Sequence, residues 1–161
     1  MKIIESIPLD LVLTHLNQTH TAVRPPIDEQ FRNDDYTACR AALDDSDLER
    51  LVLYWEFKIH TKDGTCRVTD ALPSSAAHDR IRSFIHGNPE KGYPPADLRT
   101  TPDRQPVIVT NDVNSHILYL IDGNHRVIAQ QLSGKGFQGV PVFVCVHPKM
   151  LSWAYLPPNF K

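Results

Sequence analysis

Ile117-Leu118-Tyr119-Leu120-Ile121-Asp122-Gly123-Asn124-His125-Arg126-Val127-Ile128-Ala129-Gln130-Gln131-Leu132 changes its periodicity halfway along. The first five residues are continuously apolar, as in a buried strand. The run stops at Asp122-Gly123. Val127, Ile128, Gln131 and Leu132 then keep helical spacing until Ser133-Gly134 closes the segment. The stretch predicts a strand, a tight turn and a helix. Just upstream, Val107-Ile108-Val109 reads as another strand and Asn111 to Ser115 as the turn between the two. Downstream, Val140 to Val146 reads as a last buried strand, introduced by Gly139 and Pro141.

A strand that turns directly into a helix has a chemical use. The first helical turn presents backbone N–H groups and the positive end of the macrodipole, so it attracts anions. Gly123 lets a backbone approach a phosphate closely. Asn124, His125 and Arg126 add donors, and a guanidinium suits a phosphate bidentately. Asp122 can cap the helix, or hold phosphates through a divalent ion. The same residues also fit a plain Asp-Gly helix start with two exposed polar side chains.

Working outward, Ile3 to Val12 reads as a short strand, a turn at Pro8 and a brief helix. Arg24-Pro25-Pro26 opens a loop. Residues 28 to 43 predict a helix, with Asp28 and Glu29 at its start and Phe31, Tyr36, Cys39 and Leu43 roughly on one face. Asp45-Ser46-Asp47 offers a second N-cap before Leu48. Leu51 to His60 and Thr65 to Thr69 read as strands joined at Lys62-Asp63-Gly64, a hairpin signal. Residues 76 to 85 predict a helix, and 87 to 106 a long proline-rich loop. Trp55, with Tyr54 and Phe57, reads as a core or hairpin face, and Trp153 and Tyr155 as a tail docked on the domain.

Composition narrows the function classes. The chain has 161 residues with 17 Lys+Arg against 19 Asp+Glu, a net charge of -2, and 41% hydrophobic residues. That is one domain's worth of an ordinary globular chain. A stand-alone DNA binder usually carries a basic excess, so nucleic acid is an unsupported partner here. From Asp28 to Arg50 there are eight acidic residues and three basic ones, read as a solvated helix face that could also meet a protein partner. Past Gly123 no acidic residue follows, against Arg126, Lys135, Lys149 and Lys161. Cys39, Cys66 and Cys145 have no metal-type spacing and fit free thiols, Cys145 as a core residue. The remaining histidines, His15 among them, show no zinc spacing. No secretory leader or apolar span is visible, so the expectation is a cytoplasmic protein with no membrane partner.

The run from Ile121 to Ala129 resembles the "DGHHR…A" and "GERR…A" segments of ParB-like domains and the "GGCHRYAA" segment of sulfiredoxins. The likeness extends to Gln105-Pro106-Val107-Ile108-Val109, which resembles the family's "PP-I-D-V" strand. Asp79 to Ile85 resembles the helix before that strand, Gln130-Gln131-Leu132 with Val140-Pro141-Val142 the closing helix and strand, and Ser6-Ile7-Pro8-Leu9 the opening "(I)PL". Residues 78 to 147 match well, the N-terminus loosely, and 28 to 72 hardly at all.

The resemblance implies a single α+β ParB/sulfiredoxin-like domain over residues 1 to 161, with an insertion at about 28 to 72. Its sheet would be mixed, with flanking helices. It also implies an ATP or CTP site, with Gly123, Asn124, His125 and Arg126 on the phosphates and Arg24 at the cleft. A Mg-dependent NTPase or phosphotransferase would act through Asp122, His125 and Arg126, with Asp122 on the metal. Members also include nucleases, non-catalytic nucleotide-binding or nucleic-acid-associated modules fit the same turn, and a toxin or effector could work through 28 to 72. Sulfiredoxins carry their catalytic cysteine where this chain has Asn124, so sulfinic-acid reduction is not expected. The chain has only about 30 residues past the motif helix, with Pro157-Pro158 among them, so partition-style DNA reading is not expected either. If Arg126 only grips ligand, its loss should leave unliganded stability unchanged.

Overall fold

The computed structural model describes residues 1–19, 35–53, 105–132, 134 and 136–150. The readings at Arg24-Pro25-Pro26, Trp55, the 62–64 hairpin, the 76–85 helix and the Trp153 tail lie outside them. Among the described residues the protein is mixed α+β. Strands β1 (Lys2–Ile7), β2 (Thr37–Leu43), β3 (Leu51–Leu53), β4 (Val107–Thr110), β5 (Leu118–Asp122) and β6 (Val140–Val146) form one sheet in the order β1-β2-β6-β4-β5-β3. Two pairings are parallel, β6 with β4 and β5 with β3, and the rest are antiparallel. Helices α1 (Leu9–Thr19) and α2 (Asn124–Leu132) belong to different faces of it. No helix of the described residues is long and apolar enough to cross a membrane.

Alternation along the strands builds the two cores. On β5, Leu118 and Leu120 enter one core with Val127 of α2, while Tyr119 and Ile121 enter the other with Val12, Leu13 and Leu16 of α1. All four strand residues are fully buried, which is why this stretch is apolar without interruption.

The helix expected over 28 to 43 is corrected from Thr37 onward, where the chain is β2. Cys39, Ala41 and Leu43 alternate into the α2-side core and Ala38 into the other. Three alanines and a helix-like spacing of Tyr36, Cys39 and Leu43 favoured a helix locally. Ladders to β1 on one side and β6 on the other override that preference.

The acidic stretch is corrected at Asp44, Asp45 and Asp47, while Asp28, Glu29 and Asp34 lie outside the described residues. Asp44 caps a 3-10 turn (Asp45–Arg50) one residue earlier than expected, in a reciprocal capping box with Asp47. Asp47 is fully buried, 2.7 Å from the Met1 amino group and 2.6 Å from Arg50 Nη1. Arg50 also donates to the Ser115 and Val113 carbonyls at 2.7 and 2.6 Å, pinning the β4–β5 turn. Asp45 accepts from the Phe137 amide at 2.6 Å. These carboxylates fasten the chain to itself; they do not form a solvated helix face.

Candidate functional site

Registry sets one row of residues across five strands. Glu5 pairs with Arg40, Arg40 with Phe143, Phe143 with Val107, and Val107 with Asp122. Side chains then meet along the row. Arg40 Nη1 donates to Glu5 at 2.7 Å, and its guanidinium lies 5.9 Å from the Phe143 ring centroid. The Phe143 and His15 rings, the latter on α1, pack edge-to-face with centroids 5.1 Å apart. His15 Nε2 in turn lies 3.9 Å from Asp122 Oδ2, at the far end of the row.

Asp122 ends β5 and Gly123 makes the turn. The Val127 amide donates to the Gly123 carbonyl at 3.0 Å, so Gly123 is the N-cap of α2 and Asn124, His125 and Arg126 are its first three residues. The expected strand, turn and helix are present, with the helix starting at Asn124. Gly123 has φ +80°, and a Cβ there would sit 2.9 Å from both Cα and Cβ of Pro106. The glycine is therefore demanded twice, by conformation and by the chain that crosses over it. The space above its Cα is filled by protein.

Arg126 reaches back to Asp122, with Nη2 3.1 Å from Oδ2. A cation in the first helical turn faces the positive end of the dipole, and the adjacent carboxylate offsets that cost. Both are largely buried, at 14% and 6% side-chain exposure. The Nε of Arg126 is buried and has no acceptor among the described residues. The side-chain oxygen of Gln105, next to Pro106, is likewise buried, with no donor among the described residues.

His15 is the site residue that the sequence reading passed over. Its Nε2 is 2.9 Å from the Gln105 carbonyl, which can only accept, so Nε2 carries the proton. Nothing local signals this role, because Gln105 and Asp122 come from the other half of the chain. Of the expected site residues, Asp122, Gly123, Asn124 and Arg126 gather at the turn, with Asn124 buried. His125 is the second residue of α2, and Arg24 lies outside the described residues. Cys145 is fully buried, and desolvation pushes its thiol far above the ordinary value, as a core residue requires.

No group of three or more His, Cys, Asp or Glu side chains among the described residues is arranged around a common point. Compared with family models, with curated proteins and with solved structures, the chain matches none.

Proposed function

We propose that the β5–α2 turn binds the phosphate of a nucleotide, ATP or CTP in the resemblance to ParB/sulfiredoxin-like domains. The observation that carries this reading is the Arg126 guanidinium. It stands in the first turn of α2, is braced from behind by Asp122, and has a buried Nε–H with no acceptor among the described residues. A phosphate oxygen would accept that proton and meet the positive end of the helix.

Asp122 faces Arg126 and His15, so a divalent ion at Oδ2 would have to displace a guanidinium. This carboxylate does not fit a Mg2+ ligand in that arrangement. Charge stabilisation by Arg126 and the α2 dipole is what the turn offers to phosphoryl transfer, as an NTPase or phosphotransferase. His15 presents a protonated Nε2 to its neighbours, so that nitrogen is a donor and not a base. This favours, as a second reading, a module that binds nucleotide without turning it over.

Calorimetric titration with ATP, CTP and inorganic phosphate, with and without Mg2+, tests the proposal. Phosphate-dependent binding that Arg126→Lys weakens and Arg126→Ala abolishes, with both variants folded, supports it. Binding that is absent from the folded wild type, or unaffected in Arg126→Ala, overturns it. Release of phosphate from bound nucleotide separates the enzyme from the binding module.

A further inference from the structure

Asp10, Thr14 and Gln18 follow one another at four-residue intervals on α1, which places them on one ridge. All three are exposed, while Val12, Leu13 and Leu16 face the core. The ridge is one wall of a cleft of about 550 Å³, with Arg40 and Phe143 on the sheet side. That volume is in the range of small-molecule sites.

The chemistry of the walls is specific. Arg40 directs Nη1 to Glu5 and lies over Phe143, which leaves its Nε buried with no acceptor among the described residues. A guanidinium only donates and a carboxylate only accepts, so Arg40 and Asp10 make opposite demands on anything between them. An anion would meet Asp10; a cation would meet Arg40. A hydroxyl donates and accepts at once, and Thr14 and Gln18 can answer it in either sense.

We propose that the cleft between α1 and the β2–β6 part of the sheet binds a small uncharged molecule bearing vicinal hydroxyls. Its diol donates to Asp10 and accepts from Arg40 beside the Phe143 ring. The diol belongs to a free sugar or to the ribose of a nucleoside. The inference does not rest on the phosphate reading, because no residue of the turn enters it.

Amide chemical shifts of the full chain, titrated with D-ribose, adenosine and 2′-deoxyadenosine, test it. Adenosine is expected to move the amides of Thr14, His15, Gln18 and Phe143, and 2′-deoxyadenosine to bind about tenfold more weakly, for the loss of one hydroxyl. Ribose matching adenosine assigns a free sugar; adenosine acting alone assigns a nucleoside. Asp10→Ala and Gln18→Ala, both on the exposed ridge, should each lower affinity by about tenfold. No shift along α1 with either diol, equal binding of 2′-deoxyadenosine, or undiminished binding by both variants overturns the proposal. Inorganic phosphate, titrated separately, reads the turn through Gly123 and Arg126, so failure of one reading leaves the other standing.

Discussion

Arg126 Nη2 lies 3.1 Å from Asp122 Oδ2, and neither side chain is more than 14% exposed. The arginine is therefore part of the folded structure before any ligand arrives. This changes the expectation that its removal leaves unliganded stability untouched. Arg126→Ala removes the guanidinium that faces the buried Asp122 carboxylate. The expected loss is about 2–4 kcal/mol without ligand, close to the range for breaking a buried pair. Asp122→Asn in the Arg126→Ala background should restore part of it. Urea denaturation of the four proteins of that cycle gives the coupling. A single variant as stable as wild type would show that the pair carries no weight.

Gly123 supplies a second test. At φ +80° an alanine costs about 1–2 kcal/mol, and its Cβ would meet Pro106 backbone at 2.9 Å. Relief of that overlap adds a cost of about 1–3 kcal/mol. Gly123→Ala should therefore destabilise the protein by about 2–5 kcal/mol in total, with a loosened β5–α2 turn. A loss below about 1 kcal/mol would mean that Pro106 moves freely and that the crossing is not fixed.

Asp47 ties the Met1 amino group to the 3-10 turn and holds Arg50, and its carboxylate is fully buried. Asp47→Ala should cost about 3–5 kcal/mol, because it leaves Arg50 and the Met1 amino group without their shared partner. Asp47→Leu should not recover the loss. A thermal scan in which Asp47→Ala melts like wild type would contradict the anchor.

The parts of this fold that were legible in sequence are those in which local pattern and final environment agree. Ile117 to Ile121 is apolar on both faces and lies inside the sheet. Gly123 breaks the strand where the backbone turns, and Val127 keeps the helical period. Thr37–Leu43 was illegible because Ala38, Ala41 and Ala42 are good helix formers and the decisive partners, Val140 to Val146, lie far along the chain. The acidic stretch misled for a related reason. Charge density counts carboxylates but does not reveal that Asp45 and Asp47 receive the Phe137 amide and the Met1 amino group from distant parts of the chain. At the site, the turn could be read, whereas His15 could not, because its meaning comes from Gln105 and Asp122.

Asp44 gives a pH test with a defined sign. Its carboxyl is held below the ordinary 3.8, chiefly by the Ser46 hydroxyl and next by the Met1 amino group. A depressed carboxyl contributes stability that is present above the ordinary value and lost as pH falls through the folded value. Stability should therefore decline on acidification below about pH 4, whereas Asp44→Asn, which lacks this contribution at every pH, should be less stable than wild type at neutral pH and converge on it as pH falls, with a flatter acid limb. An acid limb of identical slope in the variant would remove Asp44 from the account.

His15 can be a hydrogen-bonding residue or an apolar filler, and two substitutions order oppositely under the two descriptions. Its ring packs edge-to-face with Phe143, centroids 5.1 Å apart, and its Nε2–H points to the Gln105 carbonyl at 2.9 Å with Asp122 just beyond. If packing on Phe143 dominates, His15→Leu should be tolerated well and His15→Gln poorly. If the donor dominates, leucine strands a buried carbonyl and costs about 1–3 kcal/mol, whereas glutamine, whose amide can donate in the same direction, recovers most of it. The second order is expected, because Gln105 immediately precedes Pro106, the residue that closes over Gly123. Losing the His15 donor should then loosen the turn as well as α1. Hydrogen exchange at the Val127 amide reports this directly, since it bonds to the Gly123 carbonyl at 3.0 Å. Faster exchange there in His15→Leu, restored in His15→Gln, ties the histidine to the turn. A stability order with leucine above glutamine, or unchanged Val127 exchange in both, assigns His15 to packing alone.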